Sequence, residues 1–187
     1  LGAEISVGDG RGRWQPARLA PTAALVGDPV VEPEPRWPLT VAFTPVKGQK
    51  PEWVVQKLTE LGVQRIVPLV TERSVVRWDG NRIDRHLARW PRVIREAAMQ
   101  SRQVRLPTFD KPATVSDFVA ANPDASAADP DGTPIDASVR TVMIGPEGGW
   151  SDQERQLAPL VSLPGGVLRA ETAAVVAAAL LVDRRSG

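Results

Sequence analysis

Apolar residues in this chain come in short blocks, and the spacing inside each block predicts an element. Residues 39–43 (LTVAF) are a continuous apolar run, the mark of a buried strand. After the loop TPVKGQK, Pro51 suits a first helical turn. Val54, Val55, Leu58 and Leu61 then recur at helical spacing, and Gly62 supplies the stop. Residues 63–70 (VQRIVPLV) return to strand character. Strand, helix and strand in so short a span predict a parallel α/β sheet.

The next helix is predicted over 82–99, where Ile83, Leu87, Trp90 and Ile94 make an apolar stripe beside Arg82, Arg85, Arg89 and Arg92. Pro91 has no N–H to give the carbonyl of Leu87, so a kink or break is predicted there. VSDFVA, from 115, begins another helix. The polar segment 122–140 (ANPDASAADPDGTPIDASV) is predicted to be a mobile loop. Residues 141–144 (TVMI) form a strand that runs straight into GPEGGW. Ser151, with Glu154 three positions on, makes a capping box. LVSL is a strand ending at Leu163, and LRAETAAVVAAALLV closes the chain as an Ala-rich helix. Near the start, Ile5, Val7, Trp14 and Leu19 alternate around GDGRGR, which predicts two strands joined by a Gly-rich turn. Residues 27–38 (GDPVVEPEPRWP) read as a linker, placing residues 1–36 in one domain and 37–187 in another.

Composition acts mainly by exclusion. The 187 residues are 42% hydrophobic and 24% charged, ordinary for a globular protein. No apolar run reaches the ~18–20 residues of a membrane span. The opening LGAEISVGDGRGRW lacks the basic-then-apolar order of a signal peptide and does not start with Met. The expectation is a soluble, cytoplasmic protein that touches no membrane and whose true N-terminus lies further upstream. With no Cys there is no disulfide, thiolate zinc site or Cys nucleophile. A single histidine, His86, rules out a multi-His metal site, so no metal is expected. His86 is expected at the surface or in helix packing, and most of the six Trp as core or interface anchors. Net charge is only +1, but 19 of the 23 basic residues are Arg, and seven of them fall between Arg82 and Arg105. The guanidinium fork suits bidentate phosphate contacts.

Three stretches could carry chemistry. GPEGG, between a strand and a capped helix, would expose backbone N–H groups at the carboxyl edge of the sheet, where ligands of open α/β sheets bind. It matches neither GxGxxG nor a P-loop, and alone it is equally well a plain turn. In LRAETAA, Arg169, Glu171 and Thr172 open an apolar helix. They either cap it and complement its dipole or join GPEGG in one pocket. Gln100, Ser101 and Arg102 end the basic helix and could meet phosphates or base edges, as could Lys47, Lys50, Arg73 and Arg77. A solvated basic face is the plainer reading of that set.

Taken together, VKGQKPEWVVQKLTELGVQRIVPLVTERSVV, REAAMQSRQVRLP, MIGPEGGWSDQE and VLRAETAAVVAAAL, in this order, resemble the RsmE family of bacterial 16S ribosomal RNA uridine-N3 methyltransferases, of the SPOUT class. The resemblance runs from about residue 40 to the end. It implies an α/β parallel sheet of SPOUT type with a C-terminal deep trefoil knot, preceded by the back half of a PUA-like RNA-binding β-domain. It implies S-adenosylmethionine bound by the loops at 144–149 and 163–173: Ile144, Gly145, Pro146, Glu147, Gly148, Gly149, Leu163, Leu168, Arg169, Ala170, Thr172 and Ala173. It also implies a homodimer acting on one uridine of 16S rRNA in the assembled small subunit. Where the family carries Leu-Gly, this chain reads Leu163, Pro164, Gly165 and Gly166.

Methylating uracil N3 needs no metal and no covalent nucleophile. It needs a proton acceptor and stabilisation of the uracil anion. Arg169 suits the anion or a phosphate. Glu171 is preferred as the base, and Glu147 as a carboxylate that ties down the glycine turns. A methyltransferase acting on another RNA, such as a tRNA ribose 2′-hydroxyl, and a non-catalytic RNA-binding module are the alternatives.

Overall fold

The computed structural model describes residues 2–22, 24–46, 50–74 and 80–183, the side chains of 80–84 excepted. The alternating N-terminal residues form an antiparallel sheet of β1 (Glu4–Gly8), β2 (Arg13–Arg18), β3 (Ala24–Leu25) and β4 (Val30–Val31), with β2 pairing all three others. β4 lies inside the segment predicted as a linker, so that segment is in part a strand. Arg105 fastens this sheet to the rest of the chain. Its guanidinium donates to the carbonyls of Arg11 (2.5 Å) and Glu32 (2.6 Å).

The remaining elements are β5 (Thr40–Phe43), α1 (Lys50–Glu60), β6 (Arg65–Val70), α2 (Gly80–Ser101), β7 (Thr108–Phe109), β8 (Ala113–Thr114), α3 (Val115–Ala121), β9 (Ala125–Pro134), β10 (Thr141–Ile144), α4 (Asp152–Arg155), β11 (Leu160–Ser162) and α5 (Ala170–Asp183). They build a parallel sheet in the order β11-β9-β10-β5-β6-β7, with β8 also on β6. The apolar runs predicted as strands lie at its centre, Thr141 opposite Thr40 and Thr40 opposite Arg65. Alternation along each strand divides the core between the two faces. Val41, Phe43, Ile66, Val142 and Ile144 pack with α1, α2 and α5. Ala42, Val67, Leu69 and Met143 pack with Val115, Phe118 and Trp150. In α5 the buried side chains are Ala170, Ala173, Ala174, Ala177, Ala178 and Leu181. Small residues there let the helix lie close on β5 and β10, which it contacts.

Two expectations are corrected. Of the kink or break predicted at Pro91, the break is absent, because α2 runs unbroken through it. The carbonyl of Leu87 forgoes one bond, and packing holds the segment. Trp90 is fully buried, stacked on Phe43 and edge-on to Phe109, both at 6.1 Å. The larger correction is at 122–140. Its middle is β9, an inner strand between β11 and β10, with Ala125 and Ala127 each 1% exposed. Of the described Trp residues, Trp90 and Trp150 are core anchors, whereas Trp37 and Trp53 are 40% and 43% exposed.

Candidate active site

The carboxyl end of β10 leads into residues 145–151, and packing explains their identities. A Cβ on Gly145 would lie 2.9 Å from the ring of Trp150, so only glycine lets that indole fold beneath the loop. Trp150 is 3% exposed, and its Nε1–H donates to the carbonyl of Ala128 (2.9 Å). Gly149 takes φ +68°, which favours glycine, and its N–H closes a turn onto the carbonyl of Pro146 (2.9 Å). The capping box forms: Ser151 Oγ accepts from the N–H of Glu154 (3.2 Å), and Glu154 Oε2 accepts from the N–H of Ser151 (2.9 Å).

The facing wall comes from β9. Leu160 of β11 lies opposite Ala127 and Val161 opposite Thr133, so residues 128–132 have no counterpart on β11. This ADPDG excursion is held by charge-assisted bonds. The Asp129 carboxylate accepts from Arg155 Nη1 (2.6 Å) and from the N–H of Asp131 (3.0 Å), while Arg155 Nη2 donates to Asp131 (3.0 Å). A Cβ on Gly132 would lie 2.5 Å from backbone atoms of Leu160 and Val161, so glycine is required where the chain rejoins the ladder.

Between these walls and the start of α5 lies a cleft of about 710 Å³, its solvent mouth included. Of the residues expected to hold cofactor, Ile144, Gly145, Pro146, Glu147, Gly149, Leu163, Leu168, Ala170 and Ala173 line it. Gly148, Arg169 and Thr172 are not among its lining residues. Gly148 turns away, where a Cβ would meet Arg73 at 3.4 Å. Arg169 and Thr172 are exposed. Sequence reasoning missed Ala128, Asp129, Pro130, Gly166 and Val167, and left Trp150 out of the set although the motif contained it. Only the Asp-Pro-Asp-Gly turn signature marked the first three.

Glu171 sits 13% exposed, with Oε1 accepting from Lys50 Nζ (2.6 Å). Its buried Oε2 has no partner among the described residues. Burial pushes this carboxyl up. The Lys50 hydrogen bond, a backbone bond and the charges of Lys50 and Arg169 outweigh that and hold it below its ordinary 4.5. Glu147 is exposed and forms no hydrogen bond among the described residues. The carboxylate that ties the loop down is Glu154, 5% exposed, whose Oε1 also accepts from the N–H of Glu72 (3.0 Å).

Among the basic candidates, Arg73 and Gln100 are exposed, and so is Arg102, in the left-handed region at φ 57°. Ser101 spends its hydroxyl within α2, on the carbonyl of Ala97 (2.8 Å). Lys47 and Arg77 lie outside the described residues. Arg92 pairs with Glu96 (2.7 Å), and His86 Nδ1 lies 2.6 Å from Glu52, joining α2 to α1.

A family model for the RNA methyltransferase domain matches residues 32–182. The chain belongs to this family. Ribosomal RNA small subunit methyltransferase E of Mycobacterium bovis is 32% identical over 202 residues, a match covering 94% of this chain and 76% of that one. The Synechocystis protein of the same name is 35% identical over 161 residues, covering 76% of this chain and 52% of its own. Among solved structures, ribosomal RNA small subunit methyltransferase E of Neisseria gonorrhoeae, bound to S-adenosylmethionine, aligns with TM-score 0.82 at 27% identity, covering 95% of this chain and 81% of that one. The structural match thus takes in the N-terminal sheet as well as the parallel sheet, whereas the family model covers only residues 32–182.

Proposed function

We propose that this chain is an S-adenosylmethionine-dependent methyltransferase that methylates N3 of one uridine in 16S rRNA of the assembled small ribosomal subunit, and so works in the cytoplasm. The observation that carries the reading is the cleft at the carboxyl edge of β9 and β10. Its chemistry fits the cofactor. Apolar walls from Ile144, Leu163 and Leu168 suit an adenine, the Asp129 carboxylate suits ribose hydroxyls, and Gly149, open where a Cβ would sit, lets backbone approach a ligand. In the proposed arrangement the C-terminal segment threads a loop to give a deep trefoil knot that holds the cofactor, and the N-terminal sheet is part of a PUA-like RNA-binding domain. The protein is proposed to act as a homodimer.

When bound, the cofactor supplies an electrophilic methyl group. The chain's residues hold the base in line and stabilise the charge left when N3 loses its proton. Exposed Arg169, at the opening of α5, is placed for the anion or a neighbouring phosphate. Glu171 is proposed as the base that takes the N3 proton; its Oε2 has no partner among the described residues. The proton passes from that carboxylate to water, and Arg169 stabilises the anion left on the uracil. Arg73, Gln100, Arg102, Lys47 and Arg77 are proposed for the rRNA backbone.

The test is methylation of small subunits from a strain lacking the enzyme, with the product nucleoside identified by mass. N3-methyluridine supports the reading, and a 2′-O-methyl product would assign another RNA methyltransferase activity. Absence of any cofactor binding would leave an RNA-binding module. Arg169→Ala should slow transfer about 100-fold while cofactor affinity holds.

A further inference from the structure

Loop 145–149 has two sides. Gly145, Pro146, Glu147 and Gly149 face the cleft. Gly148 faces away, and its carbonyl accepts from Arg73 Nη1 (3.3 Å), which stands on the turn that follows β6. A second link joins the same two segments. The Glu154 carboxylate holds the N–H of Ser151 with one oxygen and the N–H of Glu72 with the other, at 2.9 and 3.0 Å. Both of its oxygens are used in a site 5% exposed, which makes this link stiff. The turn begins at Thr71, whose buried hydroxyl has no partner among the described residues. One backbone bond, from the N–H of Ser74 to the carbonyl of Thr71 (3.2 Å), closes the turn, and Glu154 and Arg73 tie it to the loop at 145–151.

We propose that Glu154 is a positioning residue that couples the cofactor loop to the RNA-facing turn 71–74, so that cofactor and RNA each raise the other's affinity. This rests on the function proposed above. The sign follows from order. A ligand against residues 145–149 fixes the Gly148 carbonyl and the capped residue Ser151. Through Glu154 and Arg73 that also fixes the turn, and RNA then meets a side chain already ordered.

The test reads amide hydrogen exchange and RNA affinity in the full chain, using S-adenosylhomocysteine and unmethylated small subunits as probes. Adding the cofactor product should slow exchange at Glu72, Arg73 and Ser74, none of which lines the cleft. It should also tighten subunit binding about five-fold or more. Glu154→Gln should remove the protection at 71–74 and bring the affinity ratio near one, with cofactor binding kept. Arg73→Met leaves the cap intact and should shrink the same ratio. Loss of a phosphate contact alone would lower both affinities together and leave the ratio unchanged, which would overturn the proposal. Cofactor binding without protection at 71–74 overturns the coupling alone, and no cofactor binding overturns the proposed function with it.

Discussion

β9 and β10 are neighbouring inner strands that wall the same cleft, yet their sequences have little in common. β10 is TVMI, buried throughout. β9 is ASAADPDGTP, and only its first residues and Asp129 are buried. Central parallel strands usually read as apolar runs because both faces are covered. β9 escapes that rule in two ways. Its early core contribution is Ala, under Trp150, and its middle leaves the β11 ladder and buries a carboxylate that Arg155 satisfies. Apolar patterning therefore locates strands that only pack. It misses a strand that packs with small residues and turns aside to make a site.

The two walls should respond differently to matched substitutions. The largest contrast is between glycines. Gly132→Ala forces a Cβ to 2.5 Å from backbone on β11, and should cost about 3 kcal/mol or more in denaturant unfolding. Gly148→Ala meets Arg73 at 3.4 Å and should cost under about 1 kcal/mol, with cofactor affinity kept. Carboxylates come next. Asp129→Ala strips Arg155 of its buried partner and should lower stability by about 2 kcal/mol, whereas exposed Glu147→Ala should leave the unfolding midpoint unchanged. Trp150→Phe, which loses the bond to the Ala128 carbonyl across the two walls, should cost about 1–2 kcal/mol.

The smallest effect depends on pH. Glu171 titrates below its ordinary 4.5 in the fold. Its share of stability is therefore present above about that pH and lost as pH falls through the lowered folded value. Lys50→Met should be less stable than wild type at neutral pH by under about 1 kcal/mol, since Lys50 is 45% exposed. That gap should close in acid, as followed by thermal melts across pH.

Much of the architecture was legible because its signals are local. LTVAF, the Val54–Leu58 spacing and the Ser151 capping box each determine their element within a few residues. The GPEGG wall was legible for the same reason, through its glycines and cap. Pro91 does not break its helix because a long, well-packed helix tolerates one missing bond when Trp90 and Ile94 anchor it on both sides. Glu147 misled because its position in the motif suggested a brace, while the bracing carboxylate, Glu154, was read only as a cap. Its second bond reaches Glu72, 82 residues away in sequence, and no spacing rule marks it. Asp129 and Arg155 are likewise joined only by the fold.

β9's excursion and the GPEGG loop are the two walls of one cleft. Amide chemical shifts of the labelled chain, followed while S-adenosylhomocysteine is added, test directly the proposal that both hold the cofactor. Concerted shifts are expected at 128–130, 145–149 and 163–173. Shifts confined to 145–149, with 128–130 unmoved at saturation, would contradict it.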